Sequence, residues 1–170
     1  ANHNSHVDTI VLLCLFPSKL LARVRPVAAA DHFDKGGFGS WFSRNVIGII
    51  PIKRGAASRT EDVLAGAKEA LTRGEILVVF PEGSRGEPEE MTRFKTGVAR
   101  LALESGAPVL PVAMIDTNIA QPIGKRIPKF HRIGIVIGEP MDFSRYRGME
   151  NDRFVLRSIT DEIMYAIMTL

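Results

Sequence analysis

The chain has a single cysteine, Cys14, so no disulfide can form within its 170 residues. Its fold must therefore rest on a packed core rather than on covalent staples. Cys14 sits in the apolar run Ile10–Phe16 and is expected to be a small core residue. Aromatic residues are scarce at 7%, and 22 Lys+Arg against 19 Asp+Glu leave a net charge of only +3. Neither a base-stacking platform nor the strong basic field of a nucleic-acid binder is present. The slight positive excess suits an anionic ligand or an anionic membrane surface. No stretch reaches the roughly 18–20 apolar residues of a transmembrane helix; Ile10–Phe16 is far too short. Internal repeats and low-complexity segments are missing as well.

What is present is an ordinary globular balance, 45% hydrophobic and 24% charged. A chain of this length can form one domain that buries roughly 70% of its unfolded surface. The patterning predicts a helix over Val7–Leu15, a strand over Arg25–Ala30, a broken helix over Asp31–Asn45 and a buried strand over Ile47–Ile52. Ser58 and Glu61 read as a capping box opening a helix with Val63, Ala67, Ala70 and Leu71 on its apolar face, stopped by Gly74. Ile76–Phe80 reads as a strand in the middle of a parallel sheet. A helix over Phe94–Glu104 ending at Gly106, strands over Val109–Ile115 and Ile133–Ile137, and a last helix over Asp152–Met168 follow, the last with Phe154, Ile159, Ile163 and Ile167 on one face. Strands alternating with helices predict a single α/β domain with a largely parallel central sheet flanked by helices. The connection Asp116–Arg132 is long enough to suggest a functional loop.

Three segments carry candidate chemistry. Asn2-His3-Asn4-Ser5-His6-Val7-Asp8 gathers two histidines, a serine and an aspartate. One reading is a His3–Asp8 pair, with imidazole as the base and the carboxylate fixing its tautomer. In one regular helix the two residues would stand about 140° apart. They meet only if His3 precedes the helix and Asp8 lies in its first turn, the boundary that Ser5 as a cap would set. A metal site from His3, His6 and Asp8 is a second reading, and a nucleophilic Ser5 a third, although the chain has no G-x-S-x-G elbow. A plain capping box of Ser5 and Asp8 is the fourth. Further on, Phe80-Pro81-Glu82-Gly83-Ser84-Arg85-Gly86 follows a buried strand, where α/β sheets place ligands. Its turned amides and Arg85 could hold an anion, or it could be an ordinary polar loop. Gly48-Ile49-Ile50-Pro51-Ile52-Lys53-Arg54 brings a second arginine to a second strand end.

Taken together and in this order, these segments resemble the glycerolipid acyltransferases typified by 1-acylglycerol-3-phosphate O-acyltransferase, the lysophosphatidic acid acyltransferases. The family's N-H-x-S-x-x-D is matched by Asn2, His3, Ser5 and Asp8. Its G-x-[IF]-[PF]-[IV]-x-R is matched from Gly48 to Arg54, and its F-P-E-G-[ST]-R from Phe80 to Arg85, with Phe94-Lys95-x-Gly97 beyond. Its apolar run around a proline is matched by Val109-Leu110-Pro111-Val112. Gly86 departs from the family's usual Ser or Thr.

The resemblance implies an acyltransferase domain over 1–170, truncated at its N-terminus, where relatives often carry membrane-associating helices. It favours the pair reading, with His3 as general base and Asp8 orienting it, and no metal or other cofactor. The acyl donor would be acyl-CoA or acyl-carrier protein, and the acceptor lysophosphatidic acid, giving phosphatidic acid without a covalent acyl-enzyme. Arg54 and Arg85 would hold the acceptor's phosphate. Glu82, Gly83, Ser84, Lys95 and Pro111 would complete the acceptor site, with backbone amides near Gly83 or Pro111 facing the oxyanion. The expected location is cytoplasmic and peripheral, on the inner face of the membrane. Glycerol 3-phosphate or another lysolipid as acceptor, and a catalytically idle lipid- or partner-binding domain, are the alternatives. The basic cluster Lys125, Arg126, Lys129, His131 and Arg132, and Lys19, Arg23 and Arg25 nearer the first helix, are candidate contacts to anionic lipid.

Overall fold

The structure, a computed structural model, describes residues 1–5, 7–29, 48–52, 60–83, 93–122, 125 and 127–170. The broken helix expected over Asp31–Asn45 lies outside them, as do Ser58, Arg54, Ser84, Arg85 and Arg126. The chain forms two compact units, Phe16–Val79 on the one hand and Ala1–Leu15 with Phe80–Leu170 on the other.

In the unit Phe16–Val79, a single-turn helix α2 (Ser18–Leu21) leads into strand β1 (Val24–Ala29). β1 is central in a three-stranded parallel sheet, with β2 (Ile50–Ile52) on one side and β3 (Ile76–Val78) on the other. Its first half pairs β3, Val24 opposite Ile76, and its second half pairs β2, Val27 opposite Ile50. Pro26, which cannot donate to a ladder, stands at the changeover. The β3 segment was expected in the middle of a sheet. It flanks β1 instead, and Ile76 is exposed. An apolar run alone does not separate a flanking strand from a central one. Helix α3 (Thr60–Thr72) buries Ala67 and Ala70 as expected, with Leu64 in place of the half-buried Val63 and Leu71, and stops ahead of Gly74. Arg25 reaches Glu75 at 3.0 Å, and that hydrogen bond holds the Glu75 carboxyl below its ordinary range.

In the other unit, helix α1 (Asp8–Cys14) precedes the chain's departure into the first. After Phe80, helix α4 (Gly97–Ser105) ends at Gly106 in the left-handed conformation, φ 68°, whose N–H caps the Ala102 carbonyl. Strand β4 (Val112–Ile115), the four-residue helix α5 (Thr117–Ala120), strand β5 (Gly134–Ile137) and the long helix α6 (Arg153–Met168) follow. β4 and β5 pair antiparallel, so this part of the fold is not parallel. The long connection between them is what lets the chain turn back. Asp152 caps α6 by accepting from the amides of Phe154 and Val155. The core joins α4, β4 and α6 through Phe94, Leu103, Ala113, Phe143, Leu156, Ile159 and Ile163.

Two expected core positions are not in the core. Phe154 is 88% exposed. It lies five residues before Ile159, about 140° round the helix, so Leu156 takes the inward place. Cys14 is exposed because α1 turns only Asp8 and Leu12 fully inward. Among the described residues no helix is long and apolar enough to cross a membrane. Replacing Ile159 or Ile163 by Ala should cost about 2–5 kcal/mol of stability, and Phe154→Ala no more than about 0.5 kcal/mol; urea unfolding followed by circular dichroism measures both.

Candidate active site

The segment before α1 is held in place by side chains that mimic backbone. Asn2 is buried, and its amide makes two bonds to Met114 of β4: the Met114 N–H donates to Oδ1 at 2.7 Å, and Nδ2 donates to the Met114 carbonyl at 3.0 Å. Asn2 thus does for this edge of β4 what a strand residue would do. Ser5, also buried, donates its hydroxyl to the Gln121 carbonyl at 2.9 Å, just past the end of α5. That contact removes two readings of Ser5. It is no exposed nucleophile, and it does not cap the helix: the cap position falls at Val7, which makes no side-chain cap bond.

His3 and Asp8 come together as the pair reading requires. His3 precedes α1, Asp8 opens it, and His3 Nδ1 lies 2.9 Å from Asp8 Oδ2. The same carboxylate oxygen accepts the amides of Asn4 at 2.7 Å and Ser5 at 2.8 Å. Half of a capping box is therefore present, the acidic side chain reaching back to amides ahead of the helix. Asp8 is 0% exposed. Burial pushes its carboxyl up, and the bonds from His3, Ser5 and Asn4 together with the nearby Thr117 hydroxyl more than offset that, so it sits below its ordinary value and stays ionised. The Thr117 hydroxyl, at the start of α5, is close enough to favour the charged form, yet neither it nor Asp8 Oδ1 completes a hydrogen bond.

The third segment acts on the same histidine. The Phe80 ring stacks on the His3 imidazole, centroids 4.2 Å apart and planes 24° from parallel. Buried Glu82 accepts the His3 backbone N–H through Oε1 at 2.8 Å. This oxygen ties the Glu82 side chain to the main chain of His3. With Nδ1 committed to Asp8 and the ring held on one face, Nε2 has no hydrogen-bond partner among the described residues.

Gly83 turns the chain with φ 74° and donates its amide to the Phe80 carbonyl at 3.0 Å. A Cβ there would stand 2.9 Å from Lys95 Cε, so the lysine stem lies over a turn that only glycine fits. Lys95 in turn donates its backbone N–H to Pro81. Pro111 is buried, has no N–H to offer, and its carbonyl accepts from Gly138. The amide of Gly83 itself is thus engaged and Pro111 has none; Ser84 and Arg85, next along the chain, lie outside the described residues. Among the described residues no three His, Cys, Asp or Glu side chains gather as a metal ion would need; His6 lies outside them.

Thr117, Gln121 and Met114 were not singled out in the sequence. The only signal for them was the length of the Asp116–Arg132 connection, whose first residues prove to support the pair. A carboxyl held low contributes stability that is complete above its ordinary pKa and disappears as pH falls through its folded value. The stability gap between this chain and its Asp8→Asn variant should thus be wide at neutral pH and shrink below about pH 4. Thr117→Val should move that loss to higher pH and Thr117→Ser should not, both measurable by urea unfolding across a pH series.

Comparison with known proteins agrees with this geometry. The sequence profile of the Acyltransferase family matches residues 1–115. The chloroplastic 1-acyl-sn-glycerol-3-phosphate acyltransferase BAT2 of Brassica napus is 27% identical over 147 residues, covering 83% of this chain and 39% of that protein. The 1-acyl-sn-glycerol-3-phosphate acyltransferase alpha of Mus musculus is 28% identical over 117 residues, 67% of this chain and 38% of that one. This chain thus spans about two fifths of the length of these relatives. The crystal structure of the 1-acyl-sn-glycerophosphate acyltransferase PlsC from Thermotoga maritima shares its fold, with a TM-score of 0.70 at 24% identity over 99% of this chain and 63% of that one. With its α/β fold and a family profile that begins at the His3 segment and runs to the end of β4, the chain belongs to the acyltransferase family.

Proposed function

We propose that this chain transfers a fatty acyl group from an acyl thioester to the free hydroxyl of lysophosphatidic acid, forming phosphatidic acid. The observation that carries the chemistry is the His3–Asp8 contact at 2.9 Å, with the carboxylate fully buried and the outer imidazole nitrogen uncommitted. The acceptor follows the names of the relatives, which are 1-acyl-sn-glycerol-3-phosphate acyltransferases.

In this reading His3 Nε2 removes the proton from the acceptor hydroxyl as its oxygen attacks the thioester carbonyl. The carbonyl oxygen takes the negative charge of the tetrahedral intermediate. The intermediate then collapses, the carbon–sulfur bond breaks, and the leaving thiolate receives the proton from the imidazolium. Asp8 holds the tautomer with Nδ1 protonated and stabilises the imidazolium without itself taking the proton. No covalent acyl-enzyme and no metal or other cofactor is needed. The donor is acyl-CoA or acyl-carrier protein. Arg54 and Arg85, both outside the described residues, hold the acceptor's phosphate through planar two-point contacts. Glu82, Gly83, Ser84, Lys95 and Pro111 would complete the acceptor site. A lipid acceptor places the chain at a membrane surface, peripherally and on the cytoplasmic face.

His3→Ala should abolish acyl transfer while leaving the unfolding transition in place, and Asp8→Asn should lower kcat on the order of 10³–10⁴-fold. Chelators should change nothing. Thioester consumption by purified protein across a panel of acceptors provides the measurement, and near-normal turnover by a folded His3→Ala chain would overturn the mechanism. Arg54→Lys and Arg85→Lys keep the charge but lose the planar fork. Each should raise KM for phosphorylated acceptors with little change in kcat; unchanged acceptor kinetics in both would make these arginines structural.

A further inference from the structure

The connection between α5 and β5 carries a surface that the acyltransferase site does not use. From Thr117 to Gly138 the chain has no Asp or Glu, while Lys125, Lys129, His131 and Arg132 are all exposed. Between them stand two large apolar side chains with almost no cover: Ile127 is 82% exposed and Phe130 112%, the most open aromatic ring among the described residues. Pro128 separates them and stiffens the segment. The segment is tied at its base. Lys129 donates its amide to the Ala120 carbonyl at 2.7 Å, and Gln121 Nε2 donates to the Lys125 carbonyl at 3.0 Å. Gln121 is the residue whose own carbonyl receives the Ser5 hydroxyl. The apolar tips therefore hang from the short helix that braces the His3–Asp8 pair.

We propose that the segment Ile127–Arg132 is the surface by which this chain meets an anionic bilayer, Ile127 and Phe130 entering the interface while Lys129 and Arg132 meet lipid phosphates. The choice of a bilayer over a protein rests on shape and charge. A stable protein partner buries roughly 800 Å² on each side, and two protruding side chains on an irregular segment offer no such face. A lipid interface accepts single apolar side chains and attracts each nearby positive charge. Asp116 lies 3.7 Å from His131, and among the described residues no ion pair ties Lys129 or Arg132 to a carboxylate. The other basic candidates are less suited: Arg23 donates to the Gly74 carbonyl and Arg25 is paired with Glu75.

This inference rests on the proposed lipid acceptor only for its relevance, so its test does not require turnover. The chain is sedimented with phosphatidylcholine vesicles, with and without phosphatidylglycerol, at low and high salt. The expected result is adsorption that favours the anionic vesicles and weakens with salt. The double variant Ile127→Ser/Phe130→Ser should lose about tenfold or more in partitioning, as expected for keeping large apolar side chains in water. Lys129→Gln/Arg132→Gln should lose the preference for anionic vesicles. Both should unfold at the same temperature as the parent chain, since the replaced side chains pack on little. The proposal is overturned if the Ser double variant sediments like the parent, or if the parent binds neutral vesicles equally well. It is also overturned if Lys129→Gln/Arg132→Gln leaves vesicle binding intact but weakens capture of acidic acyl-carrier protein, which would make this a protein-docking surface. An inactive chain that still sediments as described would refute the acyltransferase reading and leave this one standing; an active chain with unaltered partitioning does the reverse.

Discussion

A carboxylate with no exposure to water is costly unless donors surround it, and Asp8 is such a group. Its Oδ2 collects three: the His3 ring and the amides of Asn4 and Ser5. Those two amides belong to the turn ahead of α1, so the charge and the backbone conformation fix each other. The turn cannot relax without stranding the charge, and the charge cannot be removed without leaving two buried amides unpaired. His3 is placed by this arrangement, because its Nδ1 has one acceptor and its ring one orientation that reaches it. Asn2 and Ser5 secure the turn from outside, on β4 and just beyond α5.

Much of this was legible before any coordinates. The spacing of His3 and Asp8 demanded a helix that starts between them, and α1 starts at Asp8. The apolar periodicities of α3 and α6 located most of their buried faces, Ala67 and Ala70 in the one and Ile159, Ile163 and Ile167 in the other, since a helix face repeats locally in sequence. The errors are those that local patterning cannot avoid. Ser5 followed by Asp8 reads as a two-sided cap, but the serine hydroxyl finds a carbonyl 116 residues away. Ile76 reads as central and flanks β1, because strand order is set by pairing and not by composition. Phe154 was grouped with Ile159 although their spacing sets them apart on a helix. Asn2, Thr117 and Gln121 owe their roles to long-range contacts that one sequence does not display.

The first and third motif segments are usually separable in a sequence: one holds the base, the other looks like a substrate loop. In the fold they converge on one imidazole. Phe80 covers its face and Glu82 grips its backbone amide, at a sequence separation of 79 residues. The chain thus fixes the histidine through three independent handles, the ring nitrogen, the ring face and the main chain. Each handle removes a different freedom: tautomer and ring rotation, lateral tilt, and movement of the whole residue away from the site. Such close positioning is what the proposed role of His3 as a base requires. It follows that Glu82 and Phe80 cannot be read as substrate contacts from their motif alone. A change at either also disturbs His3, so lower turnover after such a change would not by itself locate the acceptor. Gly83 and Lys95 lie against each other, a Cβ at the glycine falling 2.9 Å from Lys95 Cε, so a change there is a more direct probe of the proposed acceptor site.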